Sequence, residues 1–301
     1  MEKVLETNGL SKKYNKFYAL QDVSINVNKG DVYGLIGKNG AGKTTFFKLV
    51  MGLASRTSGE IKIGIGTDLC AGRSKIGFMI GTTFFPYFTA KQNIEYYRRL
   101  KGIKDKEETS RVLKLVELYG VNKPYKHFSM GMKQRLGLAN ALLGSPEIII
   151  LDEPINGLDP QGINDIRNLI KEINEKEGVS FIISSHILSE LDLVATRFGF
   201  IDKGNLLKEV SYEDLHQSTS KALIVEVDDY DKAINIISKN LETQNFTSGK
   251  NKSIILSDYL EEPNKVAKIL INNGIELYSL KKQETTLEEY FINLIGGDGN
   301  D

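Results

Sequence analysis

The sequence has little cysteine, no excess of charge of either sign and no long hydrophobic run. Its only cysteine, Cys70, excludes an internal disulfide bond and a zinc site built on cysteine ligands, and it favours a reducing compartment. The 39 basic and 39 acidic side chains cancel, so no overall field would hold polyanions, and we expect no nucleic-acid partner. The longest plain apolar runs, such as Ile148 to Leu151, are far shorter than the roughly 18 residues of a membrane-spanning helix. The acidic start of the chain predicts no secretory signal.

Chain length and a change in composition predict two domains. A chain of 301 residues is long enough for two domains at about 150 residues each. Residues 221 to 301 hold 14 acidic and 9 basic side chains, and they follow a polar joint at 217 to 221. We place the first domain at 1–215 and the second at 220–301. Short strands and helices, the last helix over 286–294, predict a small α+β unit there. Its role, in dimerisation or in regulation, stays open.

Three short apolar runs predict the central strands of a parallel sheet. They are Val32 to Ile36, Ile148 to Leu151 and Phe181 to Ile183. The runs are continuous rather than alternating, as in strands that are covered on both faces. Each run precedes a loop and a stretch with a helical pattern. This order predicts an α/β fold whose chemistry lies at the carboxyl ends of the strands.

The strongest local signal is the segment GKNGAGKT, which joins the first of these strands to a helical stretch. Glycines allow backbone N–H groups to turn inward around a phosphate. Lys43 would then supply a positive charge to the β- and γ-phosphates, and Thr44 would offer a hydroxyl to Mg²⁺. The N-terminus of the following helix would add the positive end of its dipole. The predicted phosphate-binding residues are Gly37, Lys38, Asn39, Gly40, Ala41, Gly42, Lys43, Thr44 and Thr45.

Two carboxylates at the end of the strand Ile148 to Leu151 form the second signal. Asp152 would hold Mg²⁺ together with Thr44, because hard cations prefer oxygen ligands. Glu153 would orient or deprotonate the attacking water. Alone, such a pair is usually a solvated strand end, but the phosphate loop favours a nucleotide site. Lys43 and Asp152 are 109 positions apart, which predicts a helical insertion between them. Residues 105 to 119 within it have the pattern of an amphipathic helix.

At HFSMGMKQR, residues 127 to 135, the chain resembles the ATP-binding cassette family. Ser129 and Gly131 match the family's signature motif, in a form that lacks the second glycine. Asp159 in NGLDP matches the D-loop, and His186 in SSHILSE matches the switch histidine. The resemblance implies that Ser129, Gly131 and Asp159 act across a dimer interface. It also implies that His186 senses the γ-phosphate.

The resemblance covers residues 4 to about 215 and implies a P-loop NTPase cassette. Such a cassette has a mixed sheet core, an antiparallel β subdomain and a helical subdomain, here at about 88–145. Tyr14 lies where the family stacks an aromatic ring on adenine. The resemblance further implies an ATPase with ATP and Mg²⁺ as cofactors and with Glu153 and His186 as catalytic residues. Two nucleotide-binding subunits, identical or different, would close head to tail and bind a separate membrane permease, which places the chain at the cytoplasmic face of the membrane.

Two neighbouring features concern the permease and the attacking water. The family receives a coupling helix of the permease at the segment FFPYF, so the expected docking residues are Phe84, Phe85, Tyr87 and Phe88. The alternative is that these rings fill the core of the cassette itself. Gly81 departs from the family, which has a glutamine or glutamate there. Either Thr82 or Thr83 compensates, or a water molecule does, or the cassette couples ATP less tightly.

The segments YKHFSMGMKQRLGLANALL and LDEPINGLDPQGI are most similar to the ATP-binding subunits of exporters for bacitracin, lantibiotics and other antimicrobial or amphipathic peptides. We therefore expect an ATPase that energises peptide export, although daunorubicin-type drug exporters have similar sequences in these segments. Two alternatives remain. A soluble cassette ATPase of translation or DNA repair would usually carry two cassettes, or coiled-coil arms, and a basic face. The single cassette and the zero net charge of this chain argue against that alternative. The second alternative is a cassette that binds ATP with little hydrolysis. Glu153 argues against this alternative, whereas the absence of the glutamine at Gly81 is compatible with it.

Overall fold

The computed structural model describes residues 2–64, 68–81, 83–218, 221–241, 243, 245–249, 253–284, 290–292 and 294. The chain divides into two compact units, Met1–Tyr212 and Glu213–Asp301. The joint predicted at 217–221 and the helix predicted over 286–294 lie in part outside the described residues. Among those residues, every helix is too short or too polar to cross a bilayer.

The first unit contains ten strands, seven α-helices and one 3₁₀ turn within its described residues. In chain order they are β1 (Lys3–Tyr14), β2 (Phe17–Val23), β3 (Asn26–Asn28), β4 (Val32–Ile36), α1 (Lys43–Val50), β5 (Ser58–Ile63), α2 (Leu69–Ser74), β6 (Ile76–Met79), α3 (Ala90–Leu100), α4 (Glu107–Leu115), the 3₁₀ turn (Tyr125–His127), α5 (Met130–Leu142), β7 (Ile148–Asp152), α6 (Pro160–Glu177), β8 (Ser180–Ser185), α7 (Leu188–Asp192), β9 (Arg197–Asp202) and β10 (Asn205–Ser211). Helix α8 (Tyr212–Ser218) follows at the division between the units.

A six-stranded mixed sheet forms the centre of this unit, in the order β10-β9-β4-β8-β7-β6. Only the β9–β10 pair is antiparallel; the other four pairs are parallel. Every residue of β4 and β8 is buried, which explains their continuous apolar runs. The carboxyl ends of β4, β7 and β8 therefore lie at one edge of the sheet. The predicted α/β fold with a mixed core is confirmed.

A second, antiparallel sheet is built around β1. Strand β1 pairs with β2, β3 and β5. The hairpin between β1 and β2 places Tyr14 and Phe17 opposite each other across a two-residue turn. Asn15 in that turn has a φ of 51°, a left-handed conformation that asparagine tolerates better than most residues. The exposed Cys70 lies on α2, which packs against β5.

Helices α3, α4 and α5 form the insertion between β6 and β7. Thr89 begins α3 with a capping box to Gln92. Helix α5 packs closely on β6, where a Cβ on Gly77 would lie 2.0 Å from the carbonyl oxygen of Ala141. The helix predicted over 105–119 is shorter than expected. It ends at Leu115 because Glu117 adopts a φ of 57°, which turns Tyr119 outward with 57% of its surface exposed.

The second unit is an α+β fold, as predicted. Its elements are β11 (Lys221–Val227), α9 (Tyr230–Asn240), β12 (Phe246–Ser248), β13 (Ile254–Leu256), α10 (Pro263–Asn272) and β14 (Leu277–Glu284). The strands form an antiparallel sheet in the order β12-β13-β11-β14. The core between sheet and helices contains Leu223, Val225, Ile237, Val266 and Leu270, each fully buried.

Candidate nucleotide-binding site

The glycine-rich loop after β4 forms an open N-terminus for α1. Gly42 is the N-cap residue with a φ of 114°, a conformation that only glycine adopts readily. A Cβ on Gly42 would also lie 2.7 Å from the carbonyl oxygen of Ala19. Within the described residues, no side chain caps this helix N-terminus. Its first N–H groups are therefore available to an anion.

Lys43 is a buried cation at the centre of this loop. Only 5% of its surface is exposed. Its Nζ donates to the carbonyl oxygen of Gly37 at 2.5 Å and lies 3.1 Å from Oε1 of Glu153. A buried ammonium group needs such partners to compensate for lost hydration. The loop and the acidic end of β7 therefore meet at this side chain.

Thr44 and Asp152 provide oxygen atoms that suit Mg²⁺. The Thr44 hydroxyl donates to Oδ2 of Asp152 at 2.8 Å. Mg²⁺ in nucleotide sites takes one or two protein oxygens and completes its shell with phosphate oxygens and water. No group of three or more histidine, cysteine, aspartate or glutamate side chains arranged for a metal occurs in the described part of the chain. The donor set therefore fits a magnesium–nucleotide complex rather than a metal held by protein alone.

Glu153 connects Lys43 to His186. Oε2 of Glu153 lies 2.9 Å from Nδ1 of His186, and its Oε1 faces Lys43. The Glu153 backbone has a φ of 51°, which is uncommon for a residue with a side chain. Burial raises the pKa of the neighbouring Glu190 carboxyl; His186 lowers that pKa and the Glu153 carboxylate raises it. Lys43, Glu153, His186 and Glu190 thus form one electrostatic cluster beyond the carboxyl ends of β4, β7 and β8.

A cavity of about 370 Å³ extends from this cluster to the hairpin between β1 and β2. Its lining comprises Tyr14, Phe17, Ala19, Lys38, Asn39, Gly40, Ala41, Gly42, Lys43, Thr44, Thr45 and Glu153. Tyr14 and Phe17 expose 47% and 65% of their surfaces. Sequence reasoning missed Phe17. An aromatic residue on each side of a two-residue turn could have indicated it, since cross-strand partners project to the same face.

The predicted signature and D-loop residues lie together, but in a different cavity of about 720 Å³. Ser129 caps α5 by accepting from the N–H of Met132 at 3.3 Å, and Asp159 caps α6 by accepting from the N–H of Gly162 at 3.0 Å. Gly131 lines the same cavity. Within the described residues, the wall around Lys43 contains none of these three side chains. A single chain therefore does not bring them to its own phosphate loop.

The aromatic segment after β6 divides into buried and exposed rings. Phe84 is only 6% exposed and packs edge-on against Tyr97, with ring centroids 5.6 Å apart. Phe84 therefore fills the interior, the alternative that the sequence left open. Phe85, Tyr87 and Phe88 expose 39%, 74% and 38% of their surfaces. These three rings form an exposed aromatic patch on the insertion.

Gly81 has a φ of 57°, and a Cβ placed on it would meet no atom within 4 Å. Thr82, the first of the two possible substitutes for the missing glutamine, lies outside the described residues. The carbonyl oxygen of Thr83 accepts a hydrogen bond from the Tyr97 hydroxyl. The position is open to solvent on the side of Gly81.

Comparison with known proteins gives consistent similarities. A family model described as "ABC transporter" matches residues 20–156. The bacitracin transport ATP-binding protein BcrA of Bacillus licheniformis is 36% identical and covers 99% of both chains. The lantibiotic transport ATP-binding protein SrtF of Streptococcus pyogenes is 40% identical over 70% of this chain and 92% of its own. Among solved structures, the dimeric ATP-binding cassette MJ0796 with ADP and Pi is 26% identical. It has a TM-score of 0.61 and covers 69% of this chain and 98% of that one.

Proposed function

The chain belongs to the ATP-binding cassette transporter family and is an ATPase with ATP and Mg²⁺ as its cofactors, and from this premise we propose that it energises the export of antimicrobial peptides of the bacitracin and lantibiotic classes. The observation that carries the proposal is the similarity to BcrA over 99% of both chains, which includes the second unit. The alternative of a cassette ATPase in translation or DNA repair is not favoured, because these relatives are transport proteins.

The residues at the carboxyl ends of β4, β7 and β8, together with Tyr14 at the end of β1, have complementary roles in this proposal. The glycine loop and Lys43 bind the phosphates, and Tyr14 stacks on the base. Thr44 and Asp152 would hold Mg²⁺, which when bound neutralises charge on the phosphoryl oxygens. Glu153 orients the attacking water and accepts its proton. His186 holds the Glu153 carboxylate through the 2.9 Å contact.

Because Lys43 and Glu153 form an ion pair, nucleotide binding directly affects Glu153, the general base. Lys43 has its ammonium group 3.1 Å from the Glu153 carboxylate. A phosphate in the loop competes with that carboxylate for the same cation, because both are anions within reach of one Nζ. Binding then releases an oxygen of Glu153 to accept the proton of water.

Two subunits complete each nucleotide site in this proposal. The cavity with Ser129, Gly131 and Asp159 is separate from the one with Lys43. A second subunit in head-to-tail arrangement would present these residues to the phosphates from outside, where the start of α5 favours an anion. The relative MJ0796 was solved as a dimer bound to ADP and Pi.

A membrane permease is the other partner of a transporter subunit. We place its contact on the exposed aromatic patch of Phe85, Tyr87 and Phe88, since aromatic rings are enriched at protein interfaces. Phe85 and Phe88 are 4.9 Å apart between ring centroids, and Tyr96 packs on Phe85 at 4.8 Å. This packing holds Phe85 and Phe88 in place, which lowers the entropy lost on binding. Bound there, the chain lies at the cytoplasmic face of the membrane.

Steady-state ATP hydrolysis by the purified full chain tests the proposed chemistry. We expect Glu153→Gln to lower turnover by about 10²- to 10⁴-fold, the usual contribution of a general base, and to keep ATP binding. Glu172→Gln is the control, because Glu172 is an exposed residue paired with Lys176 on α6. Equal turnover in wild type and Glu153→Gln would reject the assignment.

The peptide class needs a separate test in the native cell. Deletion of the chain should increase sensitivity to bacitracin or to a lantibiotic, and the wild-type chain should restore resistance where Glu153→Gln does not. Unchanged sensitivity to both peptide classes would overturn the substrate part of the proposal. It would leave the ATPase part in place.

A further inference from the structure

We propose that Ser184 is a positioning residue that holds both carboxylates of the nucleotide site in their working orientation. The proposal rests on the proposed function, because it assigns Ser184 a role toward Asp152 and Glu153. Ser184 lies on β8 and does not itself line the nucleotide cavity. Its effect is therefore exerted through the two acids.

The contacts of the Ser184 hydroxyl join two neighbouring strands. Ser184 is directly opposite Asp152 in the parallel register of β7 and β8. Its Oγ donates to Oδ1 of Asp152 at 2.6 Å and accepts from the backbone N–H of Glu153 at 2.9 Å. A hydroxyl has one proton to donate and lone pairs to accept with. One side chain thus satisfies an acceptor and a donor on successive residues.

The first contact fixes the Asp152 carboxylate. Thr44 donates to Oδ2 of Asp152 and Ser184 donates to Oδ1. Two hydroxyls from α1 and β8 therefore direct both oxygens of one carboxylate. Groups that hydrogen-bond a metal ligand orient it and tune its affinity for the metal. Ser184 has this relation to Asp152, the residue that would hold Mg²⁺.

The second contact fixes the backbone of Glu153. Glu153 has a φ of 51°, and a residue with a side chain keeps this conformation only where its surroundings impose it. The N–H of Glu153 is bound to Ser184, and the resulting direction of the side chain brings the carboxylate to Lys43 and His186. Loss of the Ser184 hydroxyl would free this turn and leave a donor and an acceptor without their partner.

Burial makes this arrangement specific. Ser184 has no exposed surface, and a buried hydroxyl is unfavourable unless it is hydrogen-bonded. The three residues before it on β8, Phe181 to Ile183, are apolar and also buried. A hydrophobic residue would continue that pattern, so a buried serine at this position needs hydrogen-bond partners that offset the cost of burying its hydroxyl. The contacts with Asp152 and with the N–H of Glu153 provide those partners.

The test compares Ser184→Ala with Ser180→Ala in the full chain. Ser180 begins the same strand, is equally buried and accepts from the N–H of Gly30 at 2.9 Å. Both variants lose one buried hydroxyl from β8, at opposite ends. Three quantities are measured: kcat and KM for ATP, the Mg²⁺ concentration for half-maximal turnover, and the affinity for a fluorescent ATP analogue with and without Mg²⁺. The binding measurement is made in the Glu153→Gln background, so that it does not depend on turnover.

For Ser184→Ala we expect kcat and the apparent affinity for Mg²⁺ to fall by about 10- to 100-fold. The analogue should bind more weakly when Mg²⁺ is present at limiting concentration and normally when Mg²⁺ is absent. At saturating Mg²⁺, KM for ATP should change by less than about twofold, because the phosphate loop is intact. Ser180→Ala should resemble the wild type. If Ser184→Ala fails to fold, Ser184→Cys, which keeps a weak donor of similar size, should show the same changes in smaller degree.

Two results would overturn the role of Ser184. Either its variants match the wild type within about twofold in turnover and in Mg²⁺-dependent binding, or Ser180→Ala produces the same losses. These results differ from a failure of the proposed function, in which the wild type itself hydrolyses no ATP or Glu153→Gln is as active as the wild type. The binding measurement decides the role of Ser184 in either case.

Discussion

Replacing Tyr14 with alanine removes the ring that we place under the nucleobase. Tyr14 exposes 47% of its surface, which for a tyrosine is about 100 Å². A stacked base would cover about half of that area. At about 25 cal/mol per Å², the loss is about 1.3 kcal/mol, or about tenfold in the dissociation constant of ATP. This value lies within the about 1–3 kcal/mol found for base stacking on aromatic side chains.

Competition binding on the purified full chain measures this loss, with two ligands. ATP carries both base and phosphates, whereas inorganic tripolyphosphate carries the phosphates alone. We expect Tyr14→Ala to weaken ATP about tenfold and to leave tripolyphosphate unchanged. Tyr14→Phe, which keeps the ring, should bind both ligands as the wild type does.

Tyr18→Ala is a matched control for this experiment. Tyr18 lies on the same hairpin, is 39% exposed and has the Lys13 ammonium 4.7 Å from its ring centroid, much as Lys12 lies 4.8 Å from the ring of Tyr14. Tyr18 does not line the nucleotide cavity. An equal loss of both ligands in Tyr14→Ala, or an equal loss of ATP in Tyr18→Ala, would refute the stacking argument.

The remaining predictions concern the permease contact and acid stability. Tyr87→Ser should reduce co-purification with the membrane permease by about tenfold, the effect of one interface hot spot. Tyr119→Ser, which changes another exposed tyrosine, should leave co-purification unchanged. Unchanged co-purification of both variants would place the permease contact elsewhere. Hydrogen bonds from Arg98 and Arg99, opposed by burial, lower the pKa of Glu95 to about 2. A lowered pKa stabilises the fold above the ordinary carboxyl range, and this contribution is lost as pH falls towards 2. Glu95→Gln should therefore lower the free energy of urea unfolding by about 1 kcal/mol at pH 7, and the difference should narrow between about pH 4.3 and 2; a difference independent of pH would contradict the ion-pair explanation.

Features with a local cause could be predicted from the sequence. The strands β4, β7 and β8 are continuous apolar runs because both faces of the sheet are covered, and this composition is visible without coordinates. The glycine loop is visible for a similar reason, since Gly42 needs a left-handed backbone that few other residues tolerate. Parallel strands that end at one edge then place the polar residues after β7 and β8 beside the loop.

Features that depend on register or on one backbone angle could not be predicted. The link from Ser184 to Asp152 exists because β7 and β8 pair in one particular register, which neither strand specifies alone. Phe17 reaches the cavity only as the cross-strand partner of Tyr14. The outward position of Tyr119 follows from the φ of Glu117, although residues 105–119 keep a helical pattern. Strand β12 has no strand signal in the sequence, because its three residues, Phe246 to Ser248, include only one apolar side chain.

The single exposed thiol of Cys70 on α2 has a practical consequence for spectroscopy. A maleimide dye or a nitroxide spin label reacts with thiolate and would attach at this single site in the native sequence. No cysteine would have to be removed first, and each labelled polypeptide would carry one reporter. In a pair formed by two copies of this chain, the two reporters would give one distance that could be followed through successive rounds of turnover.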